Sequence, residues 1–169
     1  MKKGLTVREI ATFAMLGVLM FVSKKLMEFI PNIHLLTMLT MVYALVYRWK
    51  GICPLLVYLV LDTFLFGGLM WSVPYWYIFP LVWLCTLLVG KYLSGLPLQI
   101  ACTCICTLFG LGFGILYAPW QAVMFHLNFE KMLIWIATGF SFDVVHAIGN
   151  FALSFLIFPL VTLLRKLQK

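Results

Sequence analysis

The sequence predicts an all-α integral membrane protein, a six-transmembrane-helix bundle, on three observations. Of its 169 residues, 64% are hydrophobic and 10% are charged, whereas a soluble domain carries roughly 45–50% apolar and about 25% charged residues. The mean hydropathy is +1.09, so there are too few polar side chains to cover a water-facing globule, and the bilayer must be the main solvent. The apolar residues also fall in runs separated by short basic or Pro/Gly-containing clusters. At roughly 20 residues per spanning helix, about six spans fill the chain, which leaves one transmembrane domain over residues 1–169. A soluble enzyme, a nucleic-acid module or a disordered tail is excluded as a description of the whole.

The spans follow in order. The first, 5–22, is preceded by Lys2, Lys3 and Arg8. A signal peptide begins in the same way, but Lys24, Lys25 and Glu28 follow in place of a small-residue cleavage site, so the stretch reads as a retained helix. Pro31 closes the next loop. The second span, 34–47, is short and ends at the basic turn Arg48-Trp49-Lys50-Gly51. The third covers 52–70 and the fourth 74–92. The fifth, 98–125, is expected to break near Pro119, whose ring lacks the N–H that a helix interior uses. The sixth covers 135–164, with an entry turn near Gly139. There is no internal repeat, linker or low-complexity tract.

The net charge of +7 is a topology signal here, not the footprint of a nucleic acid, because the charges sit between apolar runs. With the N-terminus inside, loop parity puts Lys2, Lys3, Arg8, Arg48, Lys50, Lys91, Arg165, Lys166 and Lys169 on the cytoplasmic side. Only Lys24, Lys25 and Lys131 fall outside. Both termini are therefore expected in the cytoplasm. The same parity sends Asn32, His34, Trp71, Tyr75, Trp76, Tyr77, Tyr117, Trp120, Gln121, His126 and Asn128 to the outer side. Interfacial aromatic belts account for part of this set. Its one-sidedness points to an aromatic ligand pocket open to the extracellular side.

Polar residues inside spans are costly and face a cavity or a partner. Asp62 lies about eight residues, roughly 12 Å, from the outer end of its helix. Nothing basic is near it in sequence, which leaves a distant histidine or a ligand as its partner. Asp143, His146 and Asn150 recur at offsets of three and four and share one stripe, either as an interhelical network or as a polar ligand surface. Gly110, Gly114, Tyr117 and Gln121 form a stripe on the fifth span, for close packing or for room beneath the polar pair. Ala11, Ala14 and Gly17 make a small-residue face on the first helix, suited to helix docking.

The five cysteines, Cys53, Cys85, Cys102, Cys104 and Cys106, lie in apolar runs where thiols act as small hydrophobes. Helical geometry puts Cys102 and Cys106 on one face and Cys104 nearly opposite, so no three-thiolate metal cage forms. No P-loop, H-E-x-x-H pair or G-x-S-x-G elbow is present, and Ser141 and His146, five residues apart, do not suit a nucleophile–base dyad. No catalytic residue and no metal ligand set is expected. Six short spans without inverted halves are small for a free-standing alternating-access carrier. They fit a capture subunit that borrows its energy.

The chain resembles the substrate-binding S component of energy-coupling factor (ECF) transporters. The likeness lies in size, in six spans with both termini inside, and in the small-residue helix Ala11-Thr-Phe-Ala14-Met-Leu-Gly17. It extends to Pro31-Asn-Ile-His34-Leu-Leu, Leu116-Tyr117-Ala118-Pro119-Trp120-Gln121-Ala122 and Phe142-Asp143-Val-Val-His146-Ala-Ile-Gly-Asn150-Phe. The family often shows Ala-x-x-x-Ala on the first helix, whereas here the small residues fall at i, i+3 and i+6. The resemblance implies a multi-pass protein of a bacterial plasma membrane that binds a vitamin or similar micronutrient near the outer surface. It implies docking through the first helices on a transmembrane coupling subunit driven by two ATPase subunits. ATP and Mg²⁺ would sit on those partners and no cofactor on this chain.

The expected binding residues are Asn32, His34, Asp62, Trp71, Tyr75, Trp76, Tyr117, Trp120, Gln121, Asp143, His146 and Asn150. Aromatic faces favour a flat heterocycle and most of all a cationic one. Asp62 and Asp143 favour a donor-rich or cationic ligand, and no outer arginine is present to clamp a carboxylate or phosphate. Thiamine-like, pyridoxine-like or deazapurine rings fit better than biotin, pantothenate or folate. Cobalamin stays open through His34, His126, His146 or a thiol. The rival reading is a ligand-free accessory subunit whose acidic residues only fix helix packing. A cavity lined by at least three of Asp62, Trp71, Tyr75, Tyr117, Gln121, Asp143 and Asn150 distinguishes the two.

Overall fold

A computed structural model describes residues 4–30 and 32–168. Lys2, Lys3 and Lys169, counted among the cytoplasmic charges, and Pro31, expected to close the first loop, lie outside the described residues. The chain is 86% helix, and no strand occurs among the described residues. The helices are α1 (Val7–Leu26), α2 (Leu36–Tyr47), α3 (Ile52–Asp62), α4 (Gly68–Ser72), α5 (Tyr75–Tyr92), α6 (Gly95–Leu111), α7 (Phe113–Met124), α8 (Phe129–Ser154) and α9 (Ile157–Leu167). A 3₁₀ turn, Arg48–Gly51, joins α2 to α3, and a π-helical turn, Thr63–Gly67, joins α3 to α4. Four stretches are long and apolar enough to cross a membrane: Leu36–Leu65, Met70–Tyr92, Gly95–Met124 and Phe129–Ser154.

α2 is the axis of the fold. It is apolar all round, the pattern of a helix surrounded by others, and every residue from Leu36 to Leu45 is buried. It packs on α5 and α9, and around it gather Tyr58, Phe79, Trp83, Cys102, Cys106 and Ile157. Arg48 ends it at a φ of 55°. Gly51 then lies so close to the Tyr43 carbonyl that a Cβ would overlap it. Cys102 and Cys106 are buried and Cys104 is exposed.

α1 starts with a capping box: the Thr6 hydroxyl accepts the Glu9 N–H at 3.2 Å and the Glu9 carboxylate accepts the Thr6 N–H at 2.9 Å. It lies against α3, and two ion pairs set their relative direction. Lys50, just before α3, bonds Glu9 at 2.6 Å, and Lys24 bonds Asp62, at the end of α3, at 2.5 Å. The two helices therefore run parallel. Gly17 is buried in this contact, where a Cβ would come within 2.7 Å of the Pro54 carbonyl oxygen. This corrects the small-residue face: Ala11 and Ala14 are exposed, but Gly17 belongs to internal packing.

Arg48, Lys50, Lys91 and Arg165 collect at one end, whereas Lys24 and Lys25 lie at the far end of α1. Arg48 donates to the Gly90 carbonyl beside Lys91, and Arg165 donates to the Leu45 carbonyl, each at 3.1 Å. With Glu9–Lys50 these bonds tie the start of α1, the α2–α3 turn and the ends of α5 and α9 together.

Three breaks differ from expectation, and the first divides the span expected over 52–70 at the π-helical turn Thr63–Gly67. The fifth span divides at Gly112, not at Pro119, which sits inside α7. Glycine is the poorest helix former after proline, and Gly112 serves as C-cap of α6 and N-cap of α7 at once. The break leaves first-turn N–H groups of α7 without intrahelical partners. The Asp143 carboxylate on α8 accepts the Gly114 N–H at 3.1 and 3.2 Å. The sixth span begins at Phe129, earlier than expected, because the Asn128 side chain caps it by accepting the Lys131 N–H at 2.9 Å. Gly139 lies inside α8 and makes no entry turn. α8 ends at Ser154 and α9 begins at Ile157. Pro159 causes this gap: its ring clashes with the carbonyl four residues back, that of Phe155, whereas the first turn of α9 accepts it.

Candidate functional site

At the end of the bundle away from the basic clusters lies a cavity of about 490 Å³, within the 300–1,000 Å³ range of small-molecule sites. The end of α1 and the segment after it form one wall with Lys24, Lys25, Glu28, Asn32 and His34. Asp62 comes from the end of α3, Trp71 from α4, Tyr75 from the start of α5, Phe113 from α7 and His146 from α8.

Its charges are matched within the protein. Asp62, 1% exposed, meets the Lys24 ammonium at 2.5 Å and accepts the Ser72 hydroxyl at 2.9 Å. Lys24 also lies 4.5 Å from the centroid of the Tyr75 ring and 6.0 Å from that of Tyr58, so cation–π attraction adds to the ion pair. Lys25 pairs with Glu28 at 3.4 Å. The expectation that a distant histidine or a ligand partners Asp62 is thus corrected: its partner is Lys24, 38 residues earlier. A carboxylate this deep would be prohibitive alone, and the pair lowers the cost.

The imidazoles are different. His34 and His146 stand edge to face with ring centroids 4.8 Å apart, and Phe113 lies 5.0 Å from His146. Nδ1 of His34 and Nε2 of His146 are buried without a hydrogen-bond partner. Buried polar atoms are nearly always paired; Thr40 Oγ1, Tyr58 Oη and Trp83 Nε1 are also buried without a partner, but of these five residues His34 and His146 are the ones that line the cavity. Burial disfavours the charged ring of His34, which precedes α2, and holds it neutral. Tyr75, Phe79, Phe113 and Tyr117 continue the ring cluster, with centroids 5.4–6.3 Å apart.

Of the residues expected to bind, Asn32, His34, Asp62, Trp71, Tyr75 and His146 line this cavity; the others are used elsewhere. The Tyr117 hydroxyl donates to the Trp71 carbonyl at 2.7 Å, the Trp120 indole to the Met70 carbonyl at 2.8 Å, and the Trp76 indole to the Thr63 hydroxyl at 3.0 Å. These three pin the irregular segment between α3 and α5 and so hold Trp71 in place. Gln121 is buried in α7, and His126 is exposed. Asp143, His146 and Asn150 are all buried, but they do not converge with Asp62. Asp143 caps α7, and Asn150 donates to the Cys106 carbonyl at 2.9 Å and the Thr37 hydroxyl at 3.4 Å. Only His146 of the three reaches the cavity. Gly110, Gly114, Tyr117 and Gln121 are all buried, and the glycines serve packing against α8.

Sequence reasoning missed Lys24, Ser72 and Phe113. One signal for Lys24 was available: Lys24 and Lys25 oppose the charge bias of the rest of the chain, and a cation on the depleted side needs a local reason. A second cavity of about 660 Å³ lies at the basic end between Arg8, Glu9, Tyr47, Lys50 and Leu164, crossed by the Glu9–Lys50 pair. Among the described residues, no group of three or more His, Cys, Asp or Glu side chains is placed to hold a metal ion. No family model, curated protein or solved structure matches the chain.

Proposed function

We propose that the protein is the substrate-capture subunit of an ECF-type importer, a six-span bundle with both termini in the cytoplasm. It binds a flat heteroaromatic micronutrient from the extracellular side and passes it inward with a coupling subunit and two ATPases. The observation that carries this reading is the cavity bounded by Asp62, Trp71, Tyr75, His34 and His146 at the end opposite the basic clusters. By the positive-inside bias that end faces outward. A purely structural subunit would have no use for two unpartnered imidazoles beside a cavity of ligand size. The small-residue face that remains exposed, Ala11 and Ala14, is the docking surface for the coupling subunit.

Two expected outcomes test the arrangement. Cysteine placed at Trp49 should react with an impermeant thiol reagent only from the cytoplasmic side, and cysteine at Phe29, which is exposed near the cavity, only from outside. The opposite pattern turns the cavity inward and ends the capture reading. Ala14→Trp should abolish co-purification of the coupling subunit and ATPases from native membranes, with the melting temperature of the isolated chain unchanged within about 2 °C, the scale of a surface substitution. A fall in melting temperature with the complex intact would make Ala14 a packing residue.

A further inference from the structure

The charge and hydrogen-bonding state of the cavity wall narrow the kind of molecule it admits. Both carboxylates in the lining are engaged by lysines of the same lining, Asp62 by Lys24 at 2.5 Å and Glu28 by Lys25 at 3.4 Å. A cationic ligand would have to displace Lys24 from Asp62, and an anionic one would have to draw a lysine off its carboxylate. Displacing Lys24 breaks a buried ion pair to form another, with little net gain; the Lys25–Glu28 pair is solvent-exposed, and a charge exchanged there is screened and gains little. What the wall lacks is partners for His34 and His146, each with one ring nitrogen unpaired. A neutral imidazole has one N–H donor and one acceptor nitrogen. Two of them 4.8 Å apart can present a donor and an acceptor side by side, and the tautomer of each neutral ring sets which of its nitrogens donates. The complement is the edge of a nitrogen heterocycle, where a ring N–H lies beside a ring nitrogen or carbonyl. Phe113 and Tyr75, 6.2 Å apart between centroids, with Trp71, supply walls against which a flat ring buries its faces.

We infer that the cavity takes a neutral, planar nitrogen heterocycle, and that His34 and His146 read its polar edge while the Lys24–Asp62 pair stays closed. The inference rests on reading this cavity as a ligand site. It moves recognition from the acidic residues, which the sequence favoured, to the two imidazoles. Phenylalanine in place of either histidine keeps a ring of similar size and removes the nitrogens.

The test is native mass spectrometry of the detergent-purified chain with tandem identification of whatever it carries, together with melting curves in the presence of hypoxanthine and pyridoxine (neutral), thiamine (cationic) and nicotinate (anionic). The expected result is a neutral planar heterocycle, co-purified or among the neutral probes, whose binding falls roughly tenfold or more in His34→Phe and in His146→Phe, the scale of losing one buried hydrogen bond. Cys104→Ala should retain it in full. If either phenylalanine variant fails to fold, the leucine variant at the same position, which also lacks donor and acceptor, replaces it. A cationic, anionic or non-planar ligand overturns the inference and leaves the capture reading standing. So does a neutral heterocycle that both phenylalanine variants keep. If nothing is bound by any of these measures, the capture reading fails and this inference with it.

Discussion

Lys24→Met should destabilise the protein by about 3–5 kcal/mol, the usual cost of leaving one member of a buried ion pair unpaired. The substitution preserves the length of the aliphatic stem, so lost packing is a small part of the effect, and the attraction of the ammonium to the Tyr75 and Tyr58 rings goes with the charge. What remains is Asp62, 1% exposed, with the Ser72 hydroxyl as its other hydrogen-bond donor. The measurement is equilibrium unfolding in mixed micelles, with Asp62→Leu and the double variant Lys24→Met/Asp62→Leu completing the cycle. The double variant should recover most of the loss, because a buried ion pair exchanged for apolar side chains is often neutral. A single-variant loss under about 1 kcal/mol, the range of an exposed pair, would mean that Lys24 does not neutralise Asp62 in the bilayer. The cavity would then keep an unmatched carboxylate. The same cycle bears on ligand binding: Asp62→Asn acts through release of Lys24, so its effect on affinity should follow that of Lys24→Met.

This ion pair marks where sequence reasoning stops. Composition and run lengths were enough to read an apolar helical protein, and periodicity was enough to place Asp143, His146 and Asn150 on one inward stripe, because a helix repeats every 3.6 residues whatever surrounds it. Periodicity says which way a side chain points and not what it meets. Asp143 meets a backbone N–H, a donor that every residue but proline carries and that therefore leaves no mark in the sequence. That donor is open to Asp143 only because the chain breaks at Gly112, and Pro119 looked the stronger breaker. Lys24 and Asp62 are 38 residues apart and meet because α1 and α3 run parallel, which no local pattern encodes. The aromatic residues divided for a similar reason. Tyr117, Trp120 and Trp76 each combine an apolar ring with one donor, so they suit ligand stacking and the pinning of an irregular turn equally well. The short α4 ends at Ser72 and leaves the carbonyls of Met70 and Trp71 in need of donors, which Trp120 and Tyr117 supply.

Gly110→Val should destabilise the bundle by about 1–3 kcal/mol, the range for overpacking a close contact, and should also disturb the cavity. α6 and α8 form the most extensive helix pair. At their crossing a Cβ on Gly110 would lie 2.8 Å from the Cα of Ala147 and 2.9 Å from the carbonyl carbon of His146. These are backbone atoms and cannot rotate aside, so the helices must part. Separation would stretch the bond from Asn150 to the Cys106 carbonyl, now 2.9 Å, and would shift His146, whose own backbone is the point of contact. Gly139→Ala is the matched control. It lies in α8 with nothing within 4 Å of a new Cβ, and alanine there should stabilise by about 0.5–1 kcal/mol through helix propensity alone. Unfolding in mixed micelles gives the first number for each variant. A bound small molecule, followed by native mass spectrometry, gives the second: it should be lost or weakened in Gly110→Val and kept in Gly139→Ala. If Gly110→Val unfolds more easily but binds as before, His146 is not held by the α6–α8 crossing and its role in recognition would need another support. If the two glycine variants behave alike, the close approach of α6 and α8 does not hold this end of the bundle together.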